Sequence, residues 1–339
     1  MRDDFQIEVK SLKKTYTTYQ RGGSFAEIAK SVFARKEIKV EALKGIDFSV
    51  REGELLGFLG PNGAGKSTCL KILTGVLYPS SGEARVLGFC PWKQRKRYVS
   101  NIGAVFGQKS QLIFDIPPLD SFLMNQAIYG VPRDVFKARL DELAGLLGVV
   151  DIMGQPTRNL SLGERMKCEF IMAMLHGPKV VFLDEPTIGL DVIAKEKIRE
   201  FILAMNRKGV TFILTTHDLA DVEFLARRVI VVNHGSIIFD DGIEGLRGHF
   251  GSRKRIRLLS EGGQDALALE GLRATERRSE SEVFYELDLA SCPIDAFIAK
   301  ANAALRILDI SIGSIPIEEV VKGLYEEGAR HSAREGTAR

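Results

Sequence analysis

Nine consecutive residues, Gly60-Pro61-Asn62-Gly63-Ala64-Gly65-Lys66-Ser67-Thr68, combine three glycines with a lysine and two hydroxyls in the spacing G-x-x-x-x-G-K-[ST]. Such a loop can close its backbone N–H groups around a polyphosphate, because glycine removes the Cβ that would hold the anion away. Lys66 then supplies a point charge for the β- and γ-phosphates and Ser67 a hydroxyl for Mg²⁺. A helix that follows adds the partial positive charge of its N-terminus. This is the chemistry of a nucleoside triphosphate site. A second group, Asp184-Glu185, ends the apolar run Val180-Val181-Phe182-Leu183, at the strand end where open α/β sheets bind their ligands. Two adjacent acids divide the work: Asp184 reaches the Mg²⁺ shell and Glu185 polarises an attacking water. A nucleotide switch needs only one of them, so the pair points to hydrolysis.

These residues must be positioned, and the surrounding pattern shows how. Residues 55–59 read as an apolar strand ahead of the glycine loop, and residues 67–77 as a helix halted by Tyr78-Pro79-Ser80-Ser81-Gly82. Residues 180–183 and 211–214 are short buried strands with a helix between them, which predicts a parallel α/β sheet. Helical spacing dominates from 119 to 176, including Val135, Leu140, Leu143, Leu146 and Leu147, so a helical subdomain is expected over about 110–176. Upstream, residues 7–12 and 42–50 read as strands. Between them, residues 17–39 form a basic insertion whose Phe25, Ile28, Ala29, Val32 and Phe33 predict an amphipathic helix capped by Ser24. Past residue 240 the pattern changes to strand-like runs at 255–259, 283–289 and 308–312 separated by helix-like ones. The expected division is a first domain over 1–247, a small α+β domain over 248–327 and a disordered tail over 328–339.

With 47 Lys+Arg against 44 Asp+Glu, the 339-residue chain carries a formal charge of +3. That balance lacks the basic excess of a nucleic-acid-binding domain, and the clusters Lys93-Gln94-Arg95-Lys96-Arg97 and Arg253-Lys254-Arg255 have no interleaved aromatics, so no nucleic-acid partner is expected. Cys69, Cys90, Cys168 and Cys292 form no C-x-x-C pair, which disfavours zinc and a disulfide framework. No stretch approaches the roughly 20 apolar residues of a membrane helix. Met1-Arg2-Asp3-Asp4 has no secretory-signal pattern. The expectation is a cytosolic chain that spans nothing.

Taken in order, the glycine loop, Gln108, Leu160-Ser161-Leu162-Gly163-Glu164, Phe182-Leu183-Asp184-Glu185-Pro186, Gly189-Leu190-Asp191 and Thr216-His217-Asp218 resemble the nucleotide-binding subunit of an ABC transporter. The resemblance covers about residues 7–240 and is greatest to bacterial ABC-2-type exporter ATPases with a C-terminal extension. It implies a P-loop NTPase fold with a helical subdomain, ATP and Mg²⁺ as cofactors, and ATP hydrolysis that powers export. Separate integral membrane permease subunits would be its partners, at the cytoplasmic face of the membrane.

The resemblance also implies roles for single residues. Gln108 would help hold Mg²⁺ and the water, and the segment after it, 112–122, would receive the permease. His217 would contact the γ-phosphate, and Asp191 would be the family's D-loop aspartate, among the nucleotide-binding residues. Tyr16 would stack on adenine, with Tyr19 as its rival. Ser161 and Gly163 would offer a hydroxyl and a backbone N–H to the ATP of a second subunit, in a head-to-tail homodimer or heterodimer. The family's signature usually reads Leu-Ser-Gly-Gly-Gln, so Leu162 and Glu164 depart from it, as does Ile188 where Ser is usual. Ser161 and Glu164 have the spacing of a capping box. The basic insertion at 17–39 is open to two readings, contact with the membrane surface or packing on its own domain. Alternatives to transport are a soluble ABC-type ATPase and a nucleotide-dependent regulatory module.

Overall fold

The computed structural model describes residues 5–19, 37–107, 109–248, 253–261, 267, 269–315 and 319–325. The chain divides into two compact units between Asp240 and Asp241, rather than after residue 247. The candidate Gln108, the expected helix within the basic insertion and the expected tail lie outside the described residues.

In the first unit, β1 (Phe5–Tyr19) and β2 (Glu37–Arg51) form a long antiparallel hairpin, flanked by β4 (Ser81–Val86) in a three-stranded sheet of order β2-β1-β4. The hairpin is longer than the sequence pattern predicted. Thr17, Thr18 and Tyr19 pair with Lys39, Ile38 and Glu37, so both ends of the 17–39 segment are strand. β-Branched and aromatic residues there favour extended backbone, and the basic charge that marked the segment as an insertion carries no information on that point.

A second sheet has the order β5-β6-β7-β3-β8-β9 and holds the center of the unit. Its strands are β3 (Leu55–Leu59), β5 (Ile102–Phe106), β6 (Val180–Asp184), β7 (Thr211–Thr216), β8 (Arg228–Asn233) and β9 (Ser236–Gly242). The β5–β6, β6–β7, β7–β3 and β3–β8 pairs are parallel. All five residues of β3 and all six of β7 are buried, as expected of a parallel sheet covered on both faces. α1 (Lys66–Leu73) follows β3, and the short α2 (Arg95–Tyr98) packs beneath it, where Tyr98 donates to the Leu73 carbonyl at 2.5 Å.

The helical stretch consists of α3 (Pro118–Tyr129), α4 (Arg133–Leu147) and α5 (Leu162–Met174). Gly130 and Gly148 end the first two in left-handed conformation, the usual way a glycine closes a helix. α6 (Val192–Arg207) and α7 (Leu219–Leu225) flank β7. Phe170 of α5 meets Phe201 of α6 edge-on at 5.8 Å. Cys69 and Cys168 are buried as small apolar side chains, and burial pushes both thiols up to about 12.

The second unit begins with α8 (Ile243–Gly248) and builds a four-stranded antiparallel sheet of order β11-β12-β10-β13. Its strands are β10 (Arg253–Ser260), β11 (Leu272–Arg277), β12 (Glu282–Asp288) and β13 (Ile307–Ser314), with α9 (Ile294–Ala304) packed over Ile256, Leu258, Val283 and Leu287 through Phe297 and Ala301. The sequence pattern foretold β10, β12 and β13. It did not show β11, an edge strand with five exposed residues and no apolar alternation to mark it. Among the described residues, no helix is long and apolar enough to cross a membrane.

Phe182 lies at the center of the parallel sheet with no exposure. Replacing it with Ala should cost about 3–5 kcal/mol, read as a lower midpoint in urea denaturation followed by circular dichroism.

Candidate functional site

The glycine loop runs from the end of β3 to the start of α1, and its glycines are set by neighbours on both sides. A Cβ on Gly60 would lie 2.4 Å from the Val232 carbonyl oxygen, and one on Gly65 2.4 Å from that of Ala42. Gly65 also has φ +110°, and Gly63, with nothing near a Cβ, has φ +82°. The first requirement is one of space and the second of backbone conformation. Lys66 is almost fully buried, and its ammonium donates to the carbonyls of Gly60 at 2.6 Å and Pro61 at 3.2 Å. Burial pushes its pKa down, opposed by the nearby charges of Glu185 and Asp184. The loop opens on a cleft of about 240 Å³ lined by Asn62 through Thr68 together with Glu185, Ile188 and His217.

Asp184 ends β6 beside this cleft. Its Oδ1 accepts from Ser67 Oγ at 2.8 Å and from Thr215 Oγ1 at 2.5 Å. A hydroxyl and a carboxylate oxygen in contact are hard donors of the kind Mg²⁺ takes one or two at a time, its other positions being filled by water and phosphate. The residues present therefore fit that ion. Glu185 follows with φ +52°, an unusual conformation for a residue with a side chain, and its N–H is held by the Thr215 carbonyl at 2.9 Å. Its Oε2 lies 2.7 Å from His217 Nδ1. Sequence reasoning had separate grounds for Glu185 and His217; the fold makes them a hydrogen-bonded pair.

Other candidates lie elsewhere. Tyr16 is on β1 opposite Val40, partly exposed, with the Lys14 ammonium 5.2 Å over its ring, and it does not line the phosphate cleft. Ser161 is the N-cap of α5. Its hydroxyl accepts from the Glu164 N–H at 3.3 Å while Glu164 Oε2 accepts from the Ser161 N–H at 2.9 Å, a complete capping box. The same Oε2 accepts from the Ser161 hydroxyl at 2.8 Å, and the bonds from the Ser161 N–H and hydroxyl hold the Glu164 carboxyl below its usual range. Asp191 caps α6 through the Ala194 N–H at 2.8 Å, and a Cβ on Gly163 would lie 2.9 Å from that of Ala194. The starts of α5 and α6 thus pack together, with Leu162 and Ile188 partly exposed beside them. Ser161, Gly163 and Asp191 do not line the cleft formed by their own chain's glycine loop.

Several residues here had no sequence signal. Thr215 is one. Gly107 is another: its N–H donates to the Asp184 carbonyl at 2.8 Å, and a Cβ there would lie 2.1 Å from the Glu185 carbonyl oxygen. The third is Asp221, with no exposure, which accepts from Thr187 Oγ1 and from Arg199 Nε at 2.7 Å. One turn earlier, Lys195 pairs with Asp218 at 2.6 Å. Lys195 and Arg199 are four residues apart on α6, and Asp218 and Asp221 lie at the start of α7. Their pairing had no sequence signal, since only the fold brings the two helices together.

The description "ABC transporter" belongs to the family model that matches residues 43–188. The ABC transporter ATP-binding protein NatA of Bacillus subtilis is 32% identical over 214 residues, 63% of this chain and 87% of that one. The linearmycin resistance ATP-binding protein LnrL of the same organism is 27% identical over 296 residues, covering 87% of this chain and 94% of the relative. Among solved structures, that of CbiO1 from Clostridium perfringens, part of the ABC transporter complex CbiONQ, matches with a TM-score of 0.59 and 27% identity over 72% of this chain and 90% of its own.

Replacing Asp221 with Ala would leave the Arg199 guanidinium and the Thr187 hydroxyl without their acceptor, and should cost about 3–5 kcal/mol in chemical denaturation. Ser161→Ala should cost about 1 kcal/mol near neutral pH. Because the Glu164 carboxylate is favoured in the folded chain, its contribution is present above the ordinary glutamate range and lost as pH falls through the lowered value. The difference between wild type and Ser161→Ala should therefore narrow in acid, measured as thermal midpoints across pH.

Proposed function

The chain belongs to the family of ABC transporter ATP-binding proteins, and on that premise we propose that it powers export through separate integral membrane permease subunits at the cytoplasmic face of the membrane. As a member of that family it is an ATPase. The observation that carries the catalytic reading is the cluster on one cleft: Lys66, Ser67 bonded to Asp184, and Glu185 bonded to His217. The loop amides and Lys66 bind the phosphates. Ser67, Asp184 and Gln108 would hold Mg²⁺, which when bound neutralises charge on the β- and γ-phosphate oxygens. Glu185 orients water and accepts its proton. His217, whose Nδ1 meets the Glu185 carboxylate, would contact the γ-phosphate and keeps that carboxylate in place.

The other motif residues act across a second copy. Ser161, Gly163 and Asp191 do not line their own cleft, and the α5 N-terminus is a ready anion site. In a head-to-tail pair, a homodimer or a heterodimer, they would close the cleft of the partner over ATP, while Tyr16 stacks on the adenine. Leu162 and Ile188 then stand in the seam. Permease contact is supported by Ile113, Phe114, Leu123 and Met124, which are exposed apolar side chains on the segment after β5 and on α3. Export is supported by the relative named for linearmycin resistance. Its 296 aligned residues exceed the 240 of the first unit, so the likeness extends into the second. Resistance is most simply served by removing a compound from the cell.

Glu185→Gln should keep ATP affinity, lower the hydrolysis rate by about 10²–10⁴-fold, and accumulate an ATP-bound pair in gel filtration that wild type does not. Loss of ATP binding in this variant would contradict the role assigned to Glu185. Cells carrying it should retain a compound that wild-type cells release to the medium; failure to take a compound up would reverse the direction.

A further inference from the structure

Glu169, on α5 two turns beyond Ser161, has no part in the chemistry above, yet its residue is only 3% exposed. Its Oε1 accepts from the Ser110 hydroxyl and from the Gln111 N–H at 3.0 Å, and its Oε2 accepts from the same N–H at 3.0 Å. The Leu112 N–H adds a longer bond to Oε1 at 3.4 Å. These donors are all neutral and belong to three successive residues of the loop after β5. Burial pushes the Glu169 pKa up, with the bonds from Ser110, Gln111 and Leu112 opposing it. A carboxylate in such a place is expensive to desolvate, and a hydrocarbon side chain would fill the space at lower cost. What it provides is a set of charge-assisted bonds that fix loop backbone to a helix.

The loop has little other freedom. Gln111 Nε2 donates to the Ala104 carbonyl of β5 at 2.7 Å, and the Ile113 N–H is 3.3 Å from Ser121 Oγ of α3. At one end, Gly107 is bonded to the Asp184 carbonyl beside the catalytic pair. At the other, Ile113 and Phe114 are exposed. Between them, Glu169 is the acceptor that joins the loop to the helix bearing Ser161 and Gly163.

We propose that Glu169 is a positioning residue that binds the 110–112 loop to α5, so that the exposed Ile113–Phe114 surface and the Ser161–Gly163 helix start move as one body. The inference rests on the roles proposed above for Ser161, Gly163 and the permease-facing surface. Displacing the loop then displaces the residues that complete a second copy's ATP site, and closure of that site pulls on the loop.

The test uses the full chain in the Glu185→Gln background, where ATP is retained, and follows amide hydrogen exchange by mass spectrometry. ATP should slow exchange at residues 163–166 and at Gln111 and Leu112 together. With Glu169→Gln added, ATP should still slow 163–166, while Gln111 and Leu112 exchange at least about tenfold faster and no longer respond. In the chain with Glu185 intact, Glu169→Gln should lower kcat about tenfold with KM for ATP within about twofold, and Ser110→Ala, which removes one donor and leaves the carboxylate, should give a smaller drop in the same sense. Persistence of the ATP response at Gln111 and Leu112 in Glu169→Gln would overturn the proposal. So would a lowered melting temperature with kcat per folded molecule unchanged. If ATP alters neither segment in the parent chain, the paired-cassette reading fails instead, and unchanged basal exchange of Gln111 and Leu112 in Glu169→Gln would then refute the clamp by itself.

Discussion

One oxygen, Asp184 Oδ1, is shared by hydroxyls from two separate elements, Ser67 at the start of α1 and Thr215 near the end of β7. That shared acceptor sets the phosphate loop in register with the sheet. Asp184 lies at the end of β6, whose neighbours β5 and β7 pair with it in parallel, so their ends arrive at one edge. The Thr215 carbonyl then holds the Glu185 N–H in its left-handed conformation, and Gly107 makes room for the Glu185 carbonyl from the β5 side. Placement of Glu185 against His217 follows from those contacts. A strained residue of this kind persists only when its surroundings over-determine it, and here they come from β5, β6 and β7.

Away from the cleft, the same unit keeps two carboxylates in places where apolar side chains would be the lower-cost filling. Asp221 ties α7 to Arg199 of α6 and to Thr187 just after Glu185, and Glu169 ties α5 to the loop after β5. Buried ions of this sort contribute little net stability. They impose geometry, since a carboxylate must find its donors in particular places, whereas a leucine tolerates many neighbours. Both lie on elements that begin at or near the motif residues, α5 at Ser161 and α7 just after His217. The cassette thus has a sheet held by apolar burial and a set of helices held to it partly by directed polar contacts.

Much of this was legible in the chain. The glycine loop, with a strand before it and a helix after it, declared a phosphate site without a fold, because the spacing of its glycines and Lys66 is a local pattern, even though Val232 and Ala42 are what leave no room for a Cβ at Gly60 and Gly65. The acids Asp184 and Glu185 were marked by the apolar run that ends on them, and the Ser161–Glu164 capping box by its spacing. Three of four strands in the second unit were visible for the same reason. β11 was not, because an edge strand with polar faces shows no alternation. The ends of the β1–β2 hairpin were hidden by charge, which says nothing about pairing.

Sequence by itself therefore determined the class of chemistry and most of the local elements, because the motif spacings and apolar patterns that carry them lie within a few residues. Tertiary structure alone decided that Glu185 meets His217, that Gly107 and Thr215 stand beside them, and that Asp221 and Glu169 tie their helices to neighbouring segments. Each of those contacts joins residues tens of positions apart whose types are ordinary in isolation. Their partners are selected by strand order and helix packing, and only the folded chain brings a donor and its acceptor within hydrogen-bond distance.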